Sequence, residues 1–254
     1  MDLGIKGRKA IVCASSKGIG KGCAMALAEA GVDLVVNGRN AELLAQTTKE
    51  IRERHGVQVI EVAGDVSQPE VQKALLSAFP QVDILVNNNG GPPRRDFREL
   101  DREKIMAGVV GNMITPIELI KAVIDGMAER KFGRIVNITS LSVYVPLAGL
   151  DVSSGARAGL TSFLSGIARQ VVASNVTINN LLPGSIDTDR LKGGGPAGES
   201  DDERRKRLSA NIPAKRLGTA EEFGQVCAFF CSAHAGYLTG QNIPIDGGAY
   251  VSAF

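Results

Sequence analysis

The segment that decides the fold is residues 9–37, KAIVCASSKGIGKGCAMALAEAGVDLVVN. It starts with a short β-branched run at residues 9–14 and ends with another at residues 32–37. The apolar positions between them recur at helical spacing: Ile19, Cys23, Leu27 and Ala30. Gly31 supplies a helix stop. The segment therefore predicts a strand, a helix and a second strand, with a glycine-rich turn between the first strand and the helix.

The same unit repeats along the rest of the chain. Further strands are predicted at residues 57–63, 84–87, 134–138, 176–182 and 242–245. Helices are predicted at residues 41–55, 68–79, 101–129 and 156–171, and after a capping box formed by Thr219 and Glu222. Strands that alternate with helices are typical of an α/β fold. We expect a Rossmann-like, doubly wound parallel sheet of about seven strands in a single domain over residues 1–254.

Two stretches depart from this rhythm. The helix over residues 101–129 contains Gly111, Asn112 and Pro116, and a proline there removes a backbone donor and interrupts the helix. Residues 191–208 contain four glycines and a proline, followed by a dense run of mixed charges. This second stretch is either a mobile lid over a site or a plain solvated excursion, and the sequence leaves both open.

Composition excludes several classes of function. The chain has 29 Lys and Arg against 27 Asp and Glu, and only 4% aromatic residues, which disfavours nucleic-acid binding. We see no apolar run near the 18 or so residues that span a bilayer, and residues 1–8 lack the apolar stretch of a signal peptide. We therefore expect no membrane partner and a cytoplasmic protein.

The cysteines and histidines do not form a recognisable metal pattern. The only close cysteine pair, Cys227 and Cys231, has a spacing unlike that of a C-x-x-C unit, so we expect reduced core thiols. His55 and His234 have no third ligand at metal spacing. We assign no metal.

The turn after the first strand has the composition of a phosphate-binding loop. Its expected cofactor-binding residues are Ser15, Ser16, Lys17, Gly18, Ile19 and Gly20. Small residues at that point let the backbone approach a pyrophosphate at a helix N-terminus. A tight turn without a ligand would use the same glycines, so the loop alone leaves both interpretations open.

The end of the second strand indicates which dinucleotide is bound. Asn37, Gly38 and Arg39 stand where an acid would hold the adenine-ribose hydroxyl of NAD. No carboxylate is present there to repel a phosphate, and the planar fork of Arg39 suits a 2′-phosphate. Lys17 could supply a second positive charge. The pattern favours NADP (NADPH) over NAD, although an arginine after a strand can also simply face solvent.

Further motifs follow the ends of the later strands in order. They are Asp65, Asn87 to Gly90, Asn112 in the long helix, Ser140, Pro183 with Gly184 and Thr188, and the run from Thr239 to Gly248. With the glycine-rich loop, their order and spacing resemble the short-chain dehydrogenase/reductase family from about Leu3 onward. The closest likeness is to the β-ketoacyl carrier-protein reductase branch. The resemblance implies an NADP(H)-dependent oxidoreductase that transfers a hydride to or from a carbonyl or an activated double bond.

The resemblance also implies particular residue functions. The implied cofactor contacts are Asp65 with Val66 at the adenine, Asn88 and Gly90 along the ribose, and Pro183, Gly184 and Thr188 at the nicotinamide. Asn112 would expose a backbone carbonyl that binds a relay water. Ser140 would donate a hydrogen bond to the substrate carbonyl oxygen.

One departure from the family affects the chemistry directly. Ser153 and Arg157 stand where the family has its catalytic tyrosine and lysine. A serine hydroxyl is a far weaker acid than a phenol, whose reference pKa is about 10. Arg157 can still bond ribose hydroxyls, but the missing general acid is worth roughly 10² to 10⁴ in rate. Tyr144 is the one nearby phenol; it is either a substitute donor or part of the pocket lining.

Two functions therefore remain open from the sequence. The first is an NADP(H)-dependent oxidoreductase acting on a small carbonyl compound or an acyl thioester, and the second is a catalytically silent nucleotide-binding protein that acts as a sensor or assembly subunit. Arg94 and Arg95 could meet an anionic substrate group or face solvent. One of the family's two basic carrier-protein patches is kept at Lys131, but the other falls near Ser174. The resemblance implies a homo-oligomer, a dimer or tetramer.

Overall fold

A single parallel sheet of seven strands forms the centre of the molecule, in a computed structural model that describes residues 1–192, 196 and 198–252. The strands are β1 (Lys9–Val12), β2 (Asp33–Gly38), β3 (Val59–Ala63), β4 (Ile84–Asn87), β5 (Gly133–Ile138), β6 (Val176–Pro183) and β7 (Asn242–Ile245). Their order in the sheet is β3-β2-β1-β4-β5-β6-β7, and every neighbouring pair is parallel. The predicted Rossmann-like sheet is confirmed.

Helices cover both faces of this sheet. They are α1 (Gly18–Glu29), α2 (Ala41–His55), α3 (Pro69–Ser77), α4 (Arg102–Val109), α5 (Thr115–Glu129), α6 (Asp151–Val171), α7 (Asp201–Ser209) and α8 (Ala220–Phe230). One apolar core packs α1, α2 and α8 against the sheet, and a second packs α3, α5 and α6 against the opposite face. Because the chain reverses its direction of travel between β1 and β4, the loops that follow these two strands diverge and leave a crevice at the carboxyl edge.

The predicted element ends are correct to within a few residues. The first strand stops at Val12, two residues early, because Ala14 adopts a left-handed conformation with φ of 45° that cannot continue a strand. The capping box of Thr219 and Glu222 opens α8 as predicted. The interruption of the long helix is a π-helical turn, Val110–Ile114, between α4 and α5.

The long helix that contains the π-helical turn meets a length and hydropathy criterion for a membrane-spanning helix. Residues Arg102–Glu129 form one helix that is long and apolar enough to cross a membrane by length and composition, with a mean hydropathy of 1.4 in its most apolar window. The sequence still shows no uninterrupted apolar run of 18 residues there, because polar residues such as Glu118 break it; the helix meets the criterion through its average hydropathy. Leu119, Ile120 and Val123 of this helix pack into the core beneath the sheet, as in a soluble domain.

The predicted excursion over residues 191–208 contains a helix, α7, in its second half. A capping box of Ser200 and Glu203 opens this helix. Arg204 is almost fully buried, and it and Arg205 both bond the Asp187 carboxylate in the loop after β6, at 2.9 and 2.7 Å. Residues 193–195 and 197 lie outside the described residues, and the lid over residues 191–208 stays a prediction.

Glycines allow α1 and α8 to cross in backbone contact. A Cβ added at Gly224 would lie 2.2 Å from the Gly22 carbonyl oxygen, and one added at Gly22 would lie 2.0 Å from the Ala220 carbonyl oxygen. Any side chain at either position would therefore push apart the two helices that carry the loop after β1 and one wall of the core.

We predict that Gly224→Ala lowers the free energy of unfolding by about 1–3 kcal/mol, because the added methyl overpacks a contact between backbones. Chemical denaturation measures the change. Gly166→Ala in α6 is the matched control, since nothing lies within 4 Å of its added Cβ; it should stabilise the protein by about 0.5–1 kcal/mol. Equal stabilities of the two variants would contradict the prediction.

Candidate active site at the carboxyl edge of the sheet

A cleft of about 1810 Å³ runs along the carboxyl edge of the sheet. Small-molecule pockets usually measure roughly 300–1,000 Å³, so this cleft has room for a dinucleotide and a second molecule. The predicted site residues that line it are Lys17, Gly18, Ile19, Gly20, Asn88, Gly90, Ser140, Ser153, Arg157, Pro183, Gly184 and Thr188. Residues from the loops after β1, β4, β5 and β6 are thus brought into one crevice.

The loop after β1 leaves the N-terminus of α1 open. The helix begins at Gly18, and its N-cap, Lys17, makes no side-chain capping bond; no acidic residue stands in the first turn. A Cβ at Gly20 would lie 2.2 Å from the Ala14 carbonyl oxygen, so the turn requires glycine there. Backbone N–H groups that lack a cap, together with the helix dipole, are what a phosphate binds.

Ser15 holds this loop in place with a fully buried hydroxyl. It donates to the Val12 carbonyl at 2.7 Å and accepts from the Asn37 N–H at 3.0 Å. Ser16 lies over the end of β2, where its Oγ would be 2.7 Å from a Cβ at Gly38. The Ser15 side chain therefore ties β1 to β2, and its backbone N–H is also used, since it donates to the Asn37 carbonyl at 2.7 Å.

The residues expected at the adenosine end lie farther along the same edge. Arg39 is exposed and has no ion pair among the described residues. The Asp65 carboxylate accepts from the backbone and hydroxyl of Ser67, at 2.9 and 2.8 Å, and Val66 is buried beside it. Arg39, Asp65 and Val66 follow β2 and β3 beyond the wall of the cleft.

Lys17 points away from Arg39. Its ammonium lies 3.0 Å from the carboxylate of Asp189, in the loop after β6, and Lys192 bonds the same carboxylate at 2.8 Å. Hydrogen bonds from Lys192 and Lys17 lower the pKa of Asp189 to about 2. The pair spans the mouth of the cleft, and Lys17 is not the free second cation that the sequence indicated.

A chain of asparagine amides runs across four strands just below the cleft. Asn87 donates to Asn137 at 2.9 Å, Asn137 to Asn180 at 3.0 Å, and Asn180 to Asn242 at 2.7 Å. These residues are register partners on β4, β5, β6 and β7. This ladder was not predicted from the sequence, where its only signal is one asparagine in each strand: at or near the carboxyl end of β4 and β5, inside β6, and at the start of β7.

A second, much smaller cavity of about 10 Å³ lies at the end of the ladder. That is about the room that one buried water needs. The Oδ1 atoms of Asn87 and Asn112 are both buried without a hydrogen-bond partner among the described residues, and both residues line the cavity. Pro116 lines it too and has no N–H to donate to the Asn112 carbonyl four residues earlier.

Arg157 is a buried cation held by backbone carbonyls. It donates from Nη1 to the Ile138 carbonyl at 2.7 Å, from Nη2 to the Asn89 carbonyl at 3.1 Å, and from Nε to the Ser153 Oγ at 3.2 Å. Burial, and secondly the nearby Arg190, lowers the pKa of Arg157 to about 10. No carboxylate pairs with it in the described part of the chain.

Two hydroxyls face the cleft with a proton free to donate. The Ser140 Oγ accepts from the Ser142 N–H at 3.1 Å, and the Ser153 Oγ accepts from Arg157. Tyr144 does not join them: its ring stacks on Tyr250 with centroids 5.0 Å apart, and none of the three tyrosines lines the cleft. The structure therefore gives no support to Tyr144 as a substitute proton donor.

These residues fit a phosphorylated dinucleotide. The open N-terminus of α1 can take the pyrophosphate, and the free guanidinium of Arg39 can take a 2′-phosphate. Gly90, at which an added Cβ would meet nothing within 4 Å, leaves space above the turn after β4. No cluster of metal-ligating side chains occurs in residues 1–192, 196 and 198–252.

We predict that Asn137→Ala lowers the free energy of unfolding by about 2–4 kcal/mol, because it leaves two buried amide groups unpaired. Asn242→Ala is the control: it removes only one bond at the end of the ladder and should cost about 1 kcal/mol. Urea denaturation of both variants tests this. Equal losses would show that the ladder does not act as a connected network.

Comparison with known proteins identifies the family. The sequence profile described as enoyl-(acyl carrier protein) reductase matches residues 13–250. The chain is 33% identical over 250 residues to 3-oxoacyl-[acyl-carrier-protein] reductase of Vibrio cholerae, covering 98% of this chain and 100% of that protein. It is 32% identical over 258 residues to the NADPH-dependent reductase BacG of Bacillus subtilis, covering 96% and 98%.

A solved structure extends the likeness to the whole fold. L-sorbose reductase from Gluconobacter frateurii, complexed with NADPH and L-sorbose, superposes with a TM-score of 0.94 at 30% identity, covering 99% of this chain and 100% of that one. The sheet order, the open loop after β1 and the cleft beside Ser140 are consistent with these relatives. The chain belongs to the short-chain dehydrogenase/reductase family.

Proposed function

We propose that this protein is an NADP(H)-dependent oxidoreductase that interconverts a carbonyl and an alcohol, or reduces an activated double bond, without a catalytic phenol. The observation that carries the proposal is that one cleft brings together the open N-terminus of α1 and two hydroxyls, of Ser140 and Ser153, with free protons. The first is suited to a dinucleotide phosphate and the second to an oxygen that gains negative charge.

Different residues of the chain would bind different parts of the cofactor. Arg39 would bond the 2′-phosphate, the N–H groups from Lys17 to Gly20 the pyrophosphate, and Asp65 the adenine. Asn88, Gly90, Pro183, Gly184 and Thr188 would hold the ribose and nicotinamide. When bound, NADPH supplies the hydride. BacG and L-sorbose reductase, whose names give NADPH, agree with Arg39 and with the absence of an acid after β2; a similar 7α-hydroxysteroid dehydrogenase is complexed with NADH.

Ser140 and Ser153 are placed to act on the substrate oxygen. Each hydroxyl oxygen already accepts one hydrogen bond, so each proton can be donated into the cleft. The Arg157 guanidinium, one helical turn from Ser153, adds a fixed positive charge that stabilises a developing alkoxide through the serine. Because a serine hydroxyl is too weak an acid to replace the phenol, Ser153 holds the alkoxide through its hydrogen bond, and solvent in the cleft supplies the proton.

Arg157 stands at the position of the family's lysine, but its Nη atoms are not directed to the cofactor ribose. Its Nη atoms are bonded to Ile138 and Asn89, inside the protein. It therefore positions Ser153 and the turn after β4, and any contact with the cofactor ribose would use the N–H groups that remain. We place Asn112 and the small cavity behind Arg157 as the path by which water supplies protons.

The substrate is a small carbonyl compound or an acyl thioester. The relatives are reductases of 3-oxoacyl carrier protein and of L-sorbose, which supports this range. Lys131, the remaining half of the carrier-protein patch, bonds Ser174 at 3.4 Å. We also propose a cytoplasmic homo-oligomer built on the long helix and α6, which expose Ile105, Met106 and Phe163.

We predict that Arg39→Gln weakens NADPH binding by about 10- to 100-fold and leaves NADH binding unchanged, because a charge-assisted bond to a phosphate is worth about 1.5–3 kcal/mol. Quenching of NADPH fluorescence gives both dissociation constants. Arg98→Gln is the control, since Arg98 is equally exposed but pairs with Asp96 outside the cleft. Equal weakening of both cofactors would refute the assignment.

We predict that Ser153→Ala slows NADPH-dependent reduction by about 10- to 100-fold in kcat with NADPH affinity unchanged, because one charge-stabilising bond is lost. Ser153→Thr keeps the hydroxyl and should recover most of the rate. The double variant Ser153→Tyr with Arg157→Lys should raise ketone reduction by roughly 10² to 10⁴, the usual value of a general acid. If parent and Ser153→Ala are equally inert, and the double variant is active, the chain is the silent nucleotide-binding protein.

A further inference from the structure

The cleft contains three arginines that have no counter-ion. Arg94, Arg157 and Arg190 all line it, and none lies within ion-pair distance of a carboxylate in the described part of the chain. Arg157 and Arg190 lie beside Ser153, and Arg94 stands in the loop after β4 that Arg190 contacts. We infer that the substrate carries an anionic group, bound by Arg190 with Arg94, beside the carbonyl that Ser140 and Ser153 address.

Arg190 lies directly over the reacting end of the cleft. Its Nη2 is 2.9 Å, and the Ser153 Oγ 3.3 Å, from the point where a Cβ on Gly91 would stand. Its only hydrogen bond in the described residues is a long one, 3.4 Å from Nη1 to the Gly91 carbonyl. The guanidinium is therefore next to Ser153 and almost all of its donors are free.

The other arginines and lysines that line the cleft each contact a carboxylate. Lys17 and Lys192 share Asp189, and Lys21 and Arg54 share Glu50. Arg205 bonds Asp187 and Asp202, and Arg207 bonds Glu199. Of the acids that line the cleft, Asp201 bonds Arg204, Glu29 accepts from Gln225, and Glu221 stands in the first turn of α8. Arg94, Arg157 and Arg190 are thus the arginines and lysines of the cleft that no carboxylate of the described residues contacts.

Arg94 places a second donor three residues after Gly91, in the loop that Arg190 contacts. Its Nη1 is 3.5 Å from the Ala148 carbonyl, a contact at the limit of hydrogen bonding. The neighbouring Arg95 N–H bonds the Gly149 carbonyl at 3.1 Å, which fixes the loop after β4 against residues 145–150. Apolar side chains of that stretch, Val145, Leu147 and Leu150, also line the cleft.

This arrangement indicates an amphipathic substrate. Arg190 and Arg157 are close enough for their charges to repel, and an anion between Arg190 and Arg94 would relieve that repulsion. The apolar wall would cover the hydrocarbon part. A planar guanidinium fork suits a carboxylate or a phosphate, so the substrate is an oxo acid with an apolar chain or a thioester whose anion is a phosphate.

The inference rests on the proposed function and is tested by binding as well as turnover. Calorimetry on the enzyme saturated with NADP⁺ compares 2-oxo-4-phenylbutanoate and 4-oxo-4-phenylbutanoate with their methyl esters. The same titrations compare acetoacetyl-coenzyme A with acetoacetyl-N-acetylcysteamine, which lacks the phosphates. We expect an acid, or the coenzyme A thioester, to bind about 10- to 100-fold more tightly than its neutral partner. The preferred pair shows which anion is recognised.

Arg190→Gln should remove that preference, and Arg190→Lys should restore part of it, with Arg98→Gln as the control. NADPH affinity should stay unchanged in all three variants. Equal binding of charged and neutral probes, or no binding of any probe, would overturn the inference while leaving NADPH binding intact. A loss of NADPH affinity in Arg190→Gln would show that this arginine serves the cofactor instead. Failure of the proposed function differs from all of these, because the parent protein would then either not bind NADPH or bind it without oxidation by any acceptor.

Discussion

The candidate site depends on one buried guanidinium. Arg157 joins helix α6 to the last residue of β5 and to the turn after β4, through bonds to Ile138 and Asn89. A buried charge without a counter-ion is costly. The carbonyl oxygens that accept hydrogen bonds from Arg157 only partly replace the water it would bind in solution. The gain is a rigid positive charge directly behind Ser153. A lysine at the same place has all its donors on one nitrogen at the end of a flexible stem, so it could not repeat the three bonds that Arg157 makes from three separate nitrogens.

The sheet supplies the rigid base beneath this arginine. The amides of Asn87, Asn137, Asn180 and Asn242 are all oriented by one another, since each donates to the next. Asn87, the first residue of this ladder, keeps an Oδ1 without a hydrogen bond among the described residues, and it lines the small cavity. Strand ends that could otherwise fray are therefore fixed under the cleft, which is where the loops carrying Ser140 and Thr188 leave the sheet. A preorganised site needs such support because its hydroxyls must not reorient during the reaction.

Local sequence was enough to predict the fold and much of the site. The β1-α1-β2 unit, the interruption at Asn112 and the Ser153 and Arg157 pair are all set by spacing within a few turns of chain. Contacts between distant residues could not be predicted in this way. Arg157 bonds Asn89, which is 68 residues away in the sequence, and Lys17 bonds Asp189, which is 172 residues away. Arg190 was missed because nothing in its neighbourhood distinguishes it from a surface arginine.

The central claim is that a chain without a phenol in its cleft still transfers a hydride. A single-turnover experiment with NADPH deuterated at the transferred position tests it most directly, with the oxo acids and thioesters as acceptors. We predict first-order oxidation of the bound NADPH with a primary isotope effect, slowed further in Ser153→Ala. Bound NADPH that stays reduced with every acceptor would contradict the account.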